Sequence, residues 1–223
     1  MEGINKNFKI IVLDDLSSDK TWDTIQTYGK LLPITPIRNE KRMGLGYCLK
    51  RLIQVVTDDS KYPGRDIMIT VEADFTYDPI AVPDMIRSIE EGYDVVIGSG
   101  FAKGGEVRGA PTGIKLTTAF LHFLLRNLYA IDDIKDYLSM FRAYRVTAIK
   151  NLALKPEDKT LDFRTKTANT ELLVRLSGPS CRISEVPCVQ RYDIRERQTR
   201  IKPMEMMTSH IRLVSQHWSK REV

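Results

Sequence analysis

Cysteine and long hydrophobic runs are both scarce in this sequence. Its 223 residues include only three cysteines, Cys48, Cys181 and Cys188, an odd number without the spacing of metal ligands. This pattern predicts reduced, buried thiols in a cytosolic protein. No stretch reaches the roughly 18 consecutive apolar residues that a membrane-spanning helix needs, and no signal-peptide pattern precedes the first predicted strand. We therefore expect that any work at a membrane is done from its cytoplasmic face, as a peripheral protein.

Histidine is also scarce, and acidic residues are fewer than basic ones. The chain has three histidines, 34 Lys and Arg and 29 Asp and Glu, which give a net charge of +5. Such an excess suits phosphate-bearing partners or an anionic membrane surface, without choosing between them. No basic motif interleaved with aromatic residues is present, so a nucleic acid partner is not expected. The 42% of hydrophobic residues is typical of a globular protein.

The sequence is organised around a predicted strand at residues 67–71 and the acidic turn that follows it. The strand is apolar and rich in β-branched residues, and Glu72, Ala73 and Asp74 come directly after it. Because side chains alternate along a strand, we expect Glu72 and Asp74 on one side and Ala73 on the other. Two carboxylates on one side can hold a hard divalent cation, and the cation in turn binds phosphates. A solvated loop after a strand is the alternative interpretation.

A second acidic strand end lies upstream. Residues 8–13 are predicted to form an apolar strand, and Asp14 and Asp15 follow it at the start of a loop rich in Ser and Asp. These side chains can form the turn and cap a helix that begins near Thr21. Alternatively, they contact a nucleotide or its metal, because open α/β sheets bind ligands at the carboxyl ends of their strands.

A glycine-containing turn separates the two acidic strand ends. It follows a short predicted strand at residues 32–37 and contains Gly44-Leu45-Gly46. Glycine lets the backbone approach a ligand closely, and the predicted helix at residues 47–56 offers its positive N-terminus to an anion. Basic side chains before the first glycine, among them Lys41 and Arg42, favour a phosphate ligand over a plain turn.

Strands and helices alternate over the first hundred residues. This order predicts a mostly parallel sheet with helices on both faces. A helix at residues 80–90, a strand at 93–98, a glycine-rich loop at 99–113 and a helix at 115–129 continue the pattern. The last of these helices has an apolar stripe, which either packs on the sheet or also contacts lipid. The stripe consists of Leu116, Ala119, Phe120, Phe123, Leu124 and Leu128.

The C-terminal part of the chain is notably basic. Residues 131–145 mix acids, aromatics and arginines, and further elements are predicted as helices near Val146 and at 169–176 and as a strand at 183–189. The run at 191–202 is either a solvated surface or a clamp for phosphates; its basic residues are Arg191, Arg195, Arg197, Arg200 and Lys202. His210 and Trp218 belong to a last amphipathic helix, where we expect them to pack and not to catalyse.

These motifs, taken in order, resemble the family 2 glycosyltransferases of GT-A fold. Within that family the chain is most similar to the dolichyl-phosphate mannose synthases and polyprenyl-phosphate hexosyltransferases. The resemblance covers nearly the whole chain, and the ordered set is more specific than any one motif. The matching segments are residues 11–21, 44–46, 72–74, 93–99, 104–105, 139–142, 185–187 and 192–200.

The resemblance implies one GT-A-like α/β domain over residues 1–223, in which 190–223 form a basic tail and a terminal helix. The family's opening strand, which ends in the turn that holds the base, has no counterpart before the strand around Ile10. We therefore expect an N-terminally truncated domain that lacks the family's first strand. The first acidic residue of the family's D-x-D motif is Glu72 here and not Asp.

Such enzymes transfer a hexose from GDP-mannose or a UDP-sugar to a polyprenyl or dolichyl phosphate, with inversion of the anomeric centre and with Mg²⁺ or Mn²⁺ as cofactor. The resemblance implies that Glu72 and Asp74 bind the metal and that a set of residues lines the nucleotide-sugar site. That set is Asp14, Asp15, Met43, Gly44, Glu72, Ala73 and Asp74.

The resemblance also implies roles for side chains far along the chain. Arg195 and Arg200 lie over the donor and, with Asp74, form the expected catalytic residues. The expected contacts of the acceptor phosphate are Lys115, Thr117, Ser139 and Arg142. A phosphate acceptor is already ionised near neutral pH and needs no general base. A membrane-protein partner or a homo-oligomer is compatible with this interpretation.

Two alternatives remain open at this point. One is an inactive, glycosyltransferase-like binding module. In addition to the missing strand, it would explain why Gly100 stands where lipid-phosphate enzymes often carry arginine. The other is a phosphorylatable receiver-type domain, which also places acids after two parallel strands and could use Ser99 and Lys115. The separation between Asp15 and Asp74 is wider than we expect for that fold.

Overall fold

The computed structural model describes residues 7–153, 167–195 and 203–218. Within them lie eight strands: β1 (Ile10–Asp14), β2 (Ile34–Arg38), β3 (Ile67–Thr70), β4 (Val95–Ser99), β5 (Glu106–Arg108), β6 (Arg142–Arg145), β7 (Ile183–Pro187) and β8 (Val189–Arg191). The α-helices in the same residues are α1 (Thr21–Tyr28), α2 (Leu45–Asp59), α3 (Val82–Glu90), α4 (Thr112–Tyr129), α5 (Val146–Ala153), α6 (Ala168–Leu176) and α7 (Pro203–Trp218). A 3₁₀ turn at Pro79–Ala81 leads into α3.

The central sheet has four strands in the order β3-β6-β4-β7. β4 and β7 are parallel, whereas β6 runs antiparallel to both of its neighbours, β3 and β4. Two further parallel pairs, β1 with β2 and β5 with β8, form small separate sheets. The predicted α/β fold with parallel strands is therefore confirmed, but its centre contains an antiparallel strand that the sequence analysis missed.

Two other strands differ from their predictions. The loop predicted at residues 99–113 contains β5, and the strand predicted at 183–189 is two strands that break at Cys188. The break allows β7 to pair with β4 while β8 pairs with β5. The chain thus passes from the central sheet to a smaller one.

Apolar side chains cover both faces of the central sheet. Val95 and Ile97 of β4 point into one buried cluster with α2, α5 and α6, whereas Val96 points into a second cluster with α3. Burial on both faces is expected for a strand that lies between two helical layers. Cys188 is buried in the second cluster, and Cys48 and Cys181 are half-buried free thiols.

The two-stranded sheet of β1 and β2 stands apart from the central sheet. Among the described residues, β1 pairs only with β2 and β3 pairs only with β6, so each has one edge without a ladder partner. The apolar side chains of β1, from Ile10 to Leu13, are only half-buried. The boundaries of the domain stay a prediction.

The buried face of α4 is not the predicted stripe. Ile114, Leu121 and Leu125 are buried, whereas Leu116 is 68% and Phe123 68% exposed. The stripe was wrong as a core face because apolar residues occur on both sides of this helix, and periodicity alone cannot say which side faces the protein. In the part of the chain that the structure describes, no helix is long and apolar enough to cross a bilayer.

This assignment of faces predicts different costs for truncating two residues of one helix. Leu125→Ala should lower the free energy of unfolding by about 3 kcal/mol, because it leaves a cavity in a packed core. Phe123→Ala should change it by less than about 0.5 kcal/mol, as for other exposed positions. Urea denaturation followed by circular dichroism measures both values. Equal losses in the two variants would contradict the orientation of α4.

Candidate functional site

The acidic residues after β3 lie in a tight turn. Glu72 and Asp74 are both half-buried, and Phe75 adopts a left-handed backbone conformation with φ of 61°. The turn is closed by Thr76, whose backbone N–H and hydroxyl both donate to Asp74 Oδ1, at 3.0 and 2.5 Å. One oxygen of Asp74 is thereby fixed by its own loop.

The pKa of the Glu72 carboxyl group is shifted from its ordinary value. Burial, and then the nearby charge of Asp74, raise the pKa of the Glu72 carboxyl to about 7, while the positive charge of Arg195 acts in the opposite direction. Within the described residues no hydrogen bond holds this carboxyl group. A cation bound beside Glu72 would favour its ionised form.

Arg195 meets Asp74 directly. Its Nη2 lies 3.0 Å from Asp74 Oδ2, and its Nε donates to Thr76 Oγ1 at 2.6 Å. The guanidinium group also stacks over the ring of Tyr192, 4.6 Å from its centroid. The side chain of Arg195 is only 12% exposed, so it is held in the site and does not extend into solvent.

The fold brings Arg195 to this place by pairing β8 with the turn after β3. Arg191 N–H donates to Thr76 O at 2.6 Å, and Asp78 N–H donates to Val189 O at 3.4 Å. Between these bonds Tyr77 forms a β-bridge with Gln190. The structure therefore brings together three of the predicted residues, Glu72, Asp74 and Arg195. Arg200 lies outside the described residues.

Asp15 anchors the glycine turn. Its Oδ1 accepts from Met43 N–H at 2.8 Å and from Asn39 Nδ2 at 2.7 Å, and its Oδ2 accepts from Gly44 N–H at 2.9 Å. Burial alone would raise the pKa of Asp15, but these hydrogen bonds outweigh it and lower the pKa. Gly44 has a φ of 87°, a conformation that favours glycine. The predicted residues Asp15, Met43 and Gly44 thus form one unit at the start of α2.

Asp14 is a structural residue at the end of β1. It is 3% exposed, its Oδ1 accepts from Ser17 N–H, and its Oδ2 pairs with Arg38 Nε at 3.2 Å. The turn-forming interpretation of this aspartate therefore fits its contacts. Arg38 in turn lies over the ring of Trp22, 5.2 Å from its centroid.

A cleft of about 600 Å³ opens beside these residues. Its walls come from the end of β1, the following loop, the start of α1 and the turn after β3. Predicted nucleotide contacts from separate elements therefore face one cavity. The lining residues include Asp14, Asp15, Ser17, Lys20, Thr24 and Ala73.

The four predicted contacts of the acceptor phosphate are not gathered in one place. Lys115 is exposed and Thr117 half-buried on α4, whereas Ser139 and Arg142 are 1% and 0% exposed. The Ser139 hydroxyl donates to Gly98 O at 2.8 Å. Arg142 donates to the backbone oxygens of Asn169 and Tyr137, at 2.6 and 2.9 Å. In this arrangement both side chains are buried and hydrogen-bonded to backbone oxygens, although Arg142 Nε has no hydrogen-bond partner among the described residues.

A comparison with protein families matches residues 3–153 to the model described as "Glycosyl transferase family 2". The chain belongs to glycosyl transferase family 2. The predicted resemblance is thus confirmed, and the receiver-type alternative is wrong. Family membership also explains why two acidic strand ends and a glycine turn occur in this order.

Among curated proteins, this family 2 chain is similar to the dolichol-phosphate mannosyltransferase of Pyrococcus furiosus. The two are 33% identical over 188 residues, which are 84% of this chain and 48% of that protein. The chain therefore spans about half the length of this curated relative.

Solved structures show the same GT-A-type fold. Glucosyl-3-phosphoglycerate synthase from Mycobacterium tuberculosis, in complex with Mn²⁺, uridine diphosphate and phosphoglyceric acid, gives a TM-score of 0.57 at 19% identity, over 92% of this chain and 64% of that one. TarS 1–349 from S. aureus, in complex with UDP-GlcNAc, gives 0.53 at 20% identity, over 93% and 56% of the two chains. At these identities the likeness shows the fold alone.

The residues of the family 2 site fit a divalent cation. Glu72 and Asp74 supply hard oxygen ligands, and the pKa of Glu72 is raised first by burial and then by the charge of Asp74, so a cation nearby would favour the ionised carboxylate. In the described ranges there is no cluster of three or more His, Cys, Asp and Glu side chains that could hold a metal. A cation here would need further ligands from water or from a bound diphosphate.

Three residues beside the acidic turn were missed from the sequence. Thr76 bridges Asp74 and Arg195, Tyr192 supports the guanidinium group, and Gln190 donates to the buried carboxylate of Asp136 at 2.9 Å. For Thr76 a signal existed, because a hydroxyl two residues after an aspartate is typical of an Asx turn. The other two depend on the pairing of β8, which the local sequence does not reveal.

The raised pKa of Glu72 predicts a pH-dependent stability. In the unfolded chain this carboxyl ionises near pH 4.5, but in the folded protein only near pH 7, so the folded protein loses stability as the pH rises between these values. Without metal, Glu72→Gln should therefore melt a few degrees above the wild type at pH 8 and equally at pH 4.5. Thermal denaturation at both pH values measures this, with the exposed Glu91→Gln as control. If Glu72→Gln changes the melting temperature equally at both pH values, the pKa of Glu72 is not raised in the folded protein.

Proposed function

We propose that this chain is the catalytic domain of an inverting glycosyltransferase. It would transfer a hexose from a nucleoside-diphosphate sugar, GDP-mannose or a UDP-sugar, to a polyprenyl or dolichyl phosphate. The observation that carries this proposal is the contact of Arg195 with Asp74, 3.0 Å long, next to the second carboxyl of Glu72. A cation site and an arginine that meet at a strand end suit a diphosphate leaving group.

The cleft beside β1 is the proposed site of the nucleoside. Asp14, Asp15 and Ala73 line it, and Ala73 connects it directly to the two acids. The relative from Pyrococcus furiosus is named dolichol-phosphate mannosyltransferase, and the solved neighbours include complexes with uridine diphosphate and UDP-GlcNAc. These names support a nucleotide-sugar donor and a lipid phosphate acceptor.

The proposed cofactor is Mg²⁺ or Mn²⁺, held by Glu72 and Asp74. When bound, the cation would neutralise charge on the donor diphosphate. Arg195, which contacts Asp74, would stabilise the same charge as it grows on the leaving group. We propose the same role for Arg200.

The transfer step needs no catalytic base from this chain. An oxygen of the acceptor phosphate attacks the anomeric carbon, and the bond from that carbon to the diphosphate oxygen breaks, with its electron pair leaving on the diphosphate. The acceptor is ionised already. Accordingly, the two histidines whose side chains the structure describes have other contacts: His122 Nε2 lies 3.3 Å from Asp136, and His210 lies 3.2 Å from the hydroxyl of Thr170.

For the acceptor phosphate we propose Lys115 and Thr117 as direct contacts. Both lie on α4 with access to solvent. Ser139 and Arg142 would act through the scaffold, because a ligand could reach them only by breaking their bonds to Gly98, Asn169 and Tyr137. The inactive binding module remains the competing proposal and is decided by the experiments below.

Donor binding should appear as a thermal shift that requires both acids. At a ligand concentration of 100 times Kd, binding stabilises the folded state by about 2.7 kcal/mol, which is about 5–10 °C for a chain of this size. GDP-mannose, UDP-glucose, UDP-GlcNAc and a CDP-sugar are compared with and without Mn²⁺. The shift should disappear in Glu72→Gln and Asp74→Asn.

The control for this panel is Asp84→Asn, which removes an exposed acid that pairs with Arg87 on α3. It should keep the full shift. A donor that shifts the melting temperature is then tested for transfer to a short polyprenyl phosphate. Binding without transfer or hydrolysis would support the inactive module, and no shift with any donor would contradict the nucleotide-sugar site.

We also propose that the protein works as a peripheral protein at the cytoplasmic face of a membrane. The outer face of α4 exposes Leu116, Phe120 and Phe123, and Lys115 and Arg126 are exposed on the same helix. Apolar side chains next to basic ones suit an anionic lipid surface. α7 packs beside α4 and exposes further apolar side chains, Met204 and Ile211.

Replacing two of these apolar residues should weaken membrane binding. Each large apolar side chain that leaves lipid costs about 1.5–3 kcal/mol, so Leu116→Ser with Phe123→Ser should reduce binding to vesicles by more than about tenfold. Co-sedimentation with vesicles of phosphatidylcholine and phosphatidylglycerol measures it. Tyr62→Ser, at an exposed aromatic residue remote from α4, is the control. Unchanged vesicle binding by the double variant would contradict membrane binding through α4. If the wild type is a dimer and the double variant is a monomer, the exposed face of α4 is instead an interface of a homo-oligomer.

A further inference from the structure

The hydroxyl of Thr76 lies between the proposed metal carboxylate and the proposed donor arginine. It donates to Asp74 Oδ1 at 2.5 Å and accepts from Arg195 Nε at 2.6 Å. The hydroxyl proton is thus donated to Asp74, and a lone pair of the same oxygen accepts the N–H of Arg195. Thr76 is only 1% exposed, so its side chain is not itself placed to bind a donor.

The bonds around Thr76 form a closed ring. Arg195 Nη2 contacts Asp74 Oδ2 at 3.0 Å, while Arg195 Nε contacts the hydroxyl that binds the other oxygen, Oδ1. The guanidinium group is therefore held by two nitrogens, and its plane is fixed relative to the carboxylate. Because the arginine is cationic and the carboxylate anionic, both bonds of the hydroxyl are charge-assisted and strengthen each other.

The backbone of Thr76 is fixed at the same point. Its carbonyl oxygen accepts from Arg191 N–H at 2.6 Å, and its own N–H donates to Asp74 Oδ1 at 3.0 Å. Thr76 therefore joins the turn after β3 to β8 through its main chain and joins Asp74 to Arg195 through its side chain. No other described residue makes all of these contacts.

We propose that Thr76 is a positioning residue that sets Arg195 against Asp74, so that the arginine and the metal held by Asp74 bind the same nucleoside diphosphate. This inference rests on the proposed function. Thr76 acts through Arg195 and does not touch the reacting atoms. Its loss should therefore matter only while Arg195 is present.

The experiment measures binding of UDP and GDP by calorimetry in the presence of Mn²⁺, without a sugar or an acceptor. Thr76→Val keeps the side-chain shape but removes the hydroxyl, and should weaken binding of the diphosphate by about tenfold, the value of one charge-assisted hydrogen bond. Thr76→Ser restores the hydroxyl and should bind within about threefold of the wild type.

A double-mutant cycle with Arg195 identifies the route of the effect. In an Arg195→Ala background, Thr76→Val should weaken binding by less than about threefold, because the two residues act as one unit. Arg195→Lys keeps the charge but removes Nε, and should lose about as much as Thr76→Val. If Thr76→Val does not fold, Arg195→Lys still tests the hydrogen bond between Arg195 Nε and the Thr76 hydroxyl.

Thr147→Val is the matched control. The Thr147 hydroxyl also donates to a carbonyl oxygen, that of Pro63 at 2.9 Å, but it lies beyond the opposite end of β3. This variant can lose stability but should bind the diphosphate like the wild type. Electron paramagnetic resonance of Mn²⁺ alone adds a readout that needs no nucleotide, and there Thr76→Val should weaken metal binding less than Asp74→Asn does.

The outcomes separate this inference from the proposed function. If the wild type binds Mn²⁺ with UDP or GDP but Thr76→Val binds equally well, the positioning role is wrong and the proposed function stands. An equal tenfold loss in the wild-type and Arg195→Ala backgrounds would also overturn it, because Thr76 would then act on Asp74 alone. If the wild type binds neither diphosphate, both proposals are wrong.

Discussion

The contact between Arg195 and Asp74 is the interaction on which the site depends. It joins a turn in the first half of the chain to the segment after β8, and it exists because Arg191 N–H and Asp78 N–H pair these two segments in a ladder. Without that ladder, a side chain as long and flexible as arginine would not be held beside a half-buried acid. The pairing removes that freedom in advance, which lowers the entropy cost of gathering charge around a ligand.

The two acidic strand ends use their carboxylates in different ways. Both carboxylate oxygens of Asp15 accept hydrogen bonds from backbone N–H groups of the glycine turn, so this carboxylate stabilises the conformation of the turn. Asp74 accepts hydrogen bonds from Thr76 with one oxygen and forms an ion pair with Arg195 through the other, while Glu72 has no hydrogen bond within the described residues. An ion pair can exchange partners when a cation arrives, whereas backbone N–H groups cannot follow. The acids after β3 therefore keep carboxylate oxygens that no backbone N–H group holds, whereas both oxygens of Asp15 are held.

Several elements could be predicted from the sequence because their signals are local. The helices α2, α3, α4 and α6 follow apolar periodicity, and β1, β3 and β4 follow compact apolar runs. β6 was missed because Arg142–Arg145 has no β-branched run and becomes a strand only through its ladders with β3 and β4. The environment of Ser139 and Arg142 could not be predicted from the sequence either. Their residue types suggest phosphate binding, but at 1% and 0% exposure their side chains donate hydrogen bonds to backbone carbonyl oxygens.

The sequence by itself determined the family, the α/β order of elements, the acids at two strand ends and the glycine turn before α2. The family follows from the order of these motifs along the chain, and each motif depends on residues within a few positions of one another, where propensity and hydrogen bonding act directly. Only the tertiary structure decided that Thr76 and Arg195, 119 residues apart, share a hydrogen bond, and that α4 turns Leu116 and Phe123 outward. Such contacts depend on how whole strands and helices pack, and a short stretch of sequence carries no information about its distant partner.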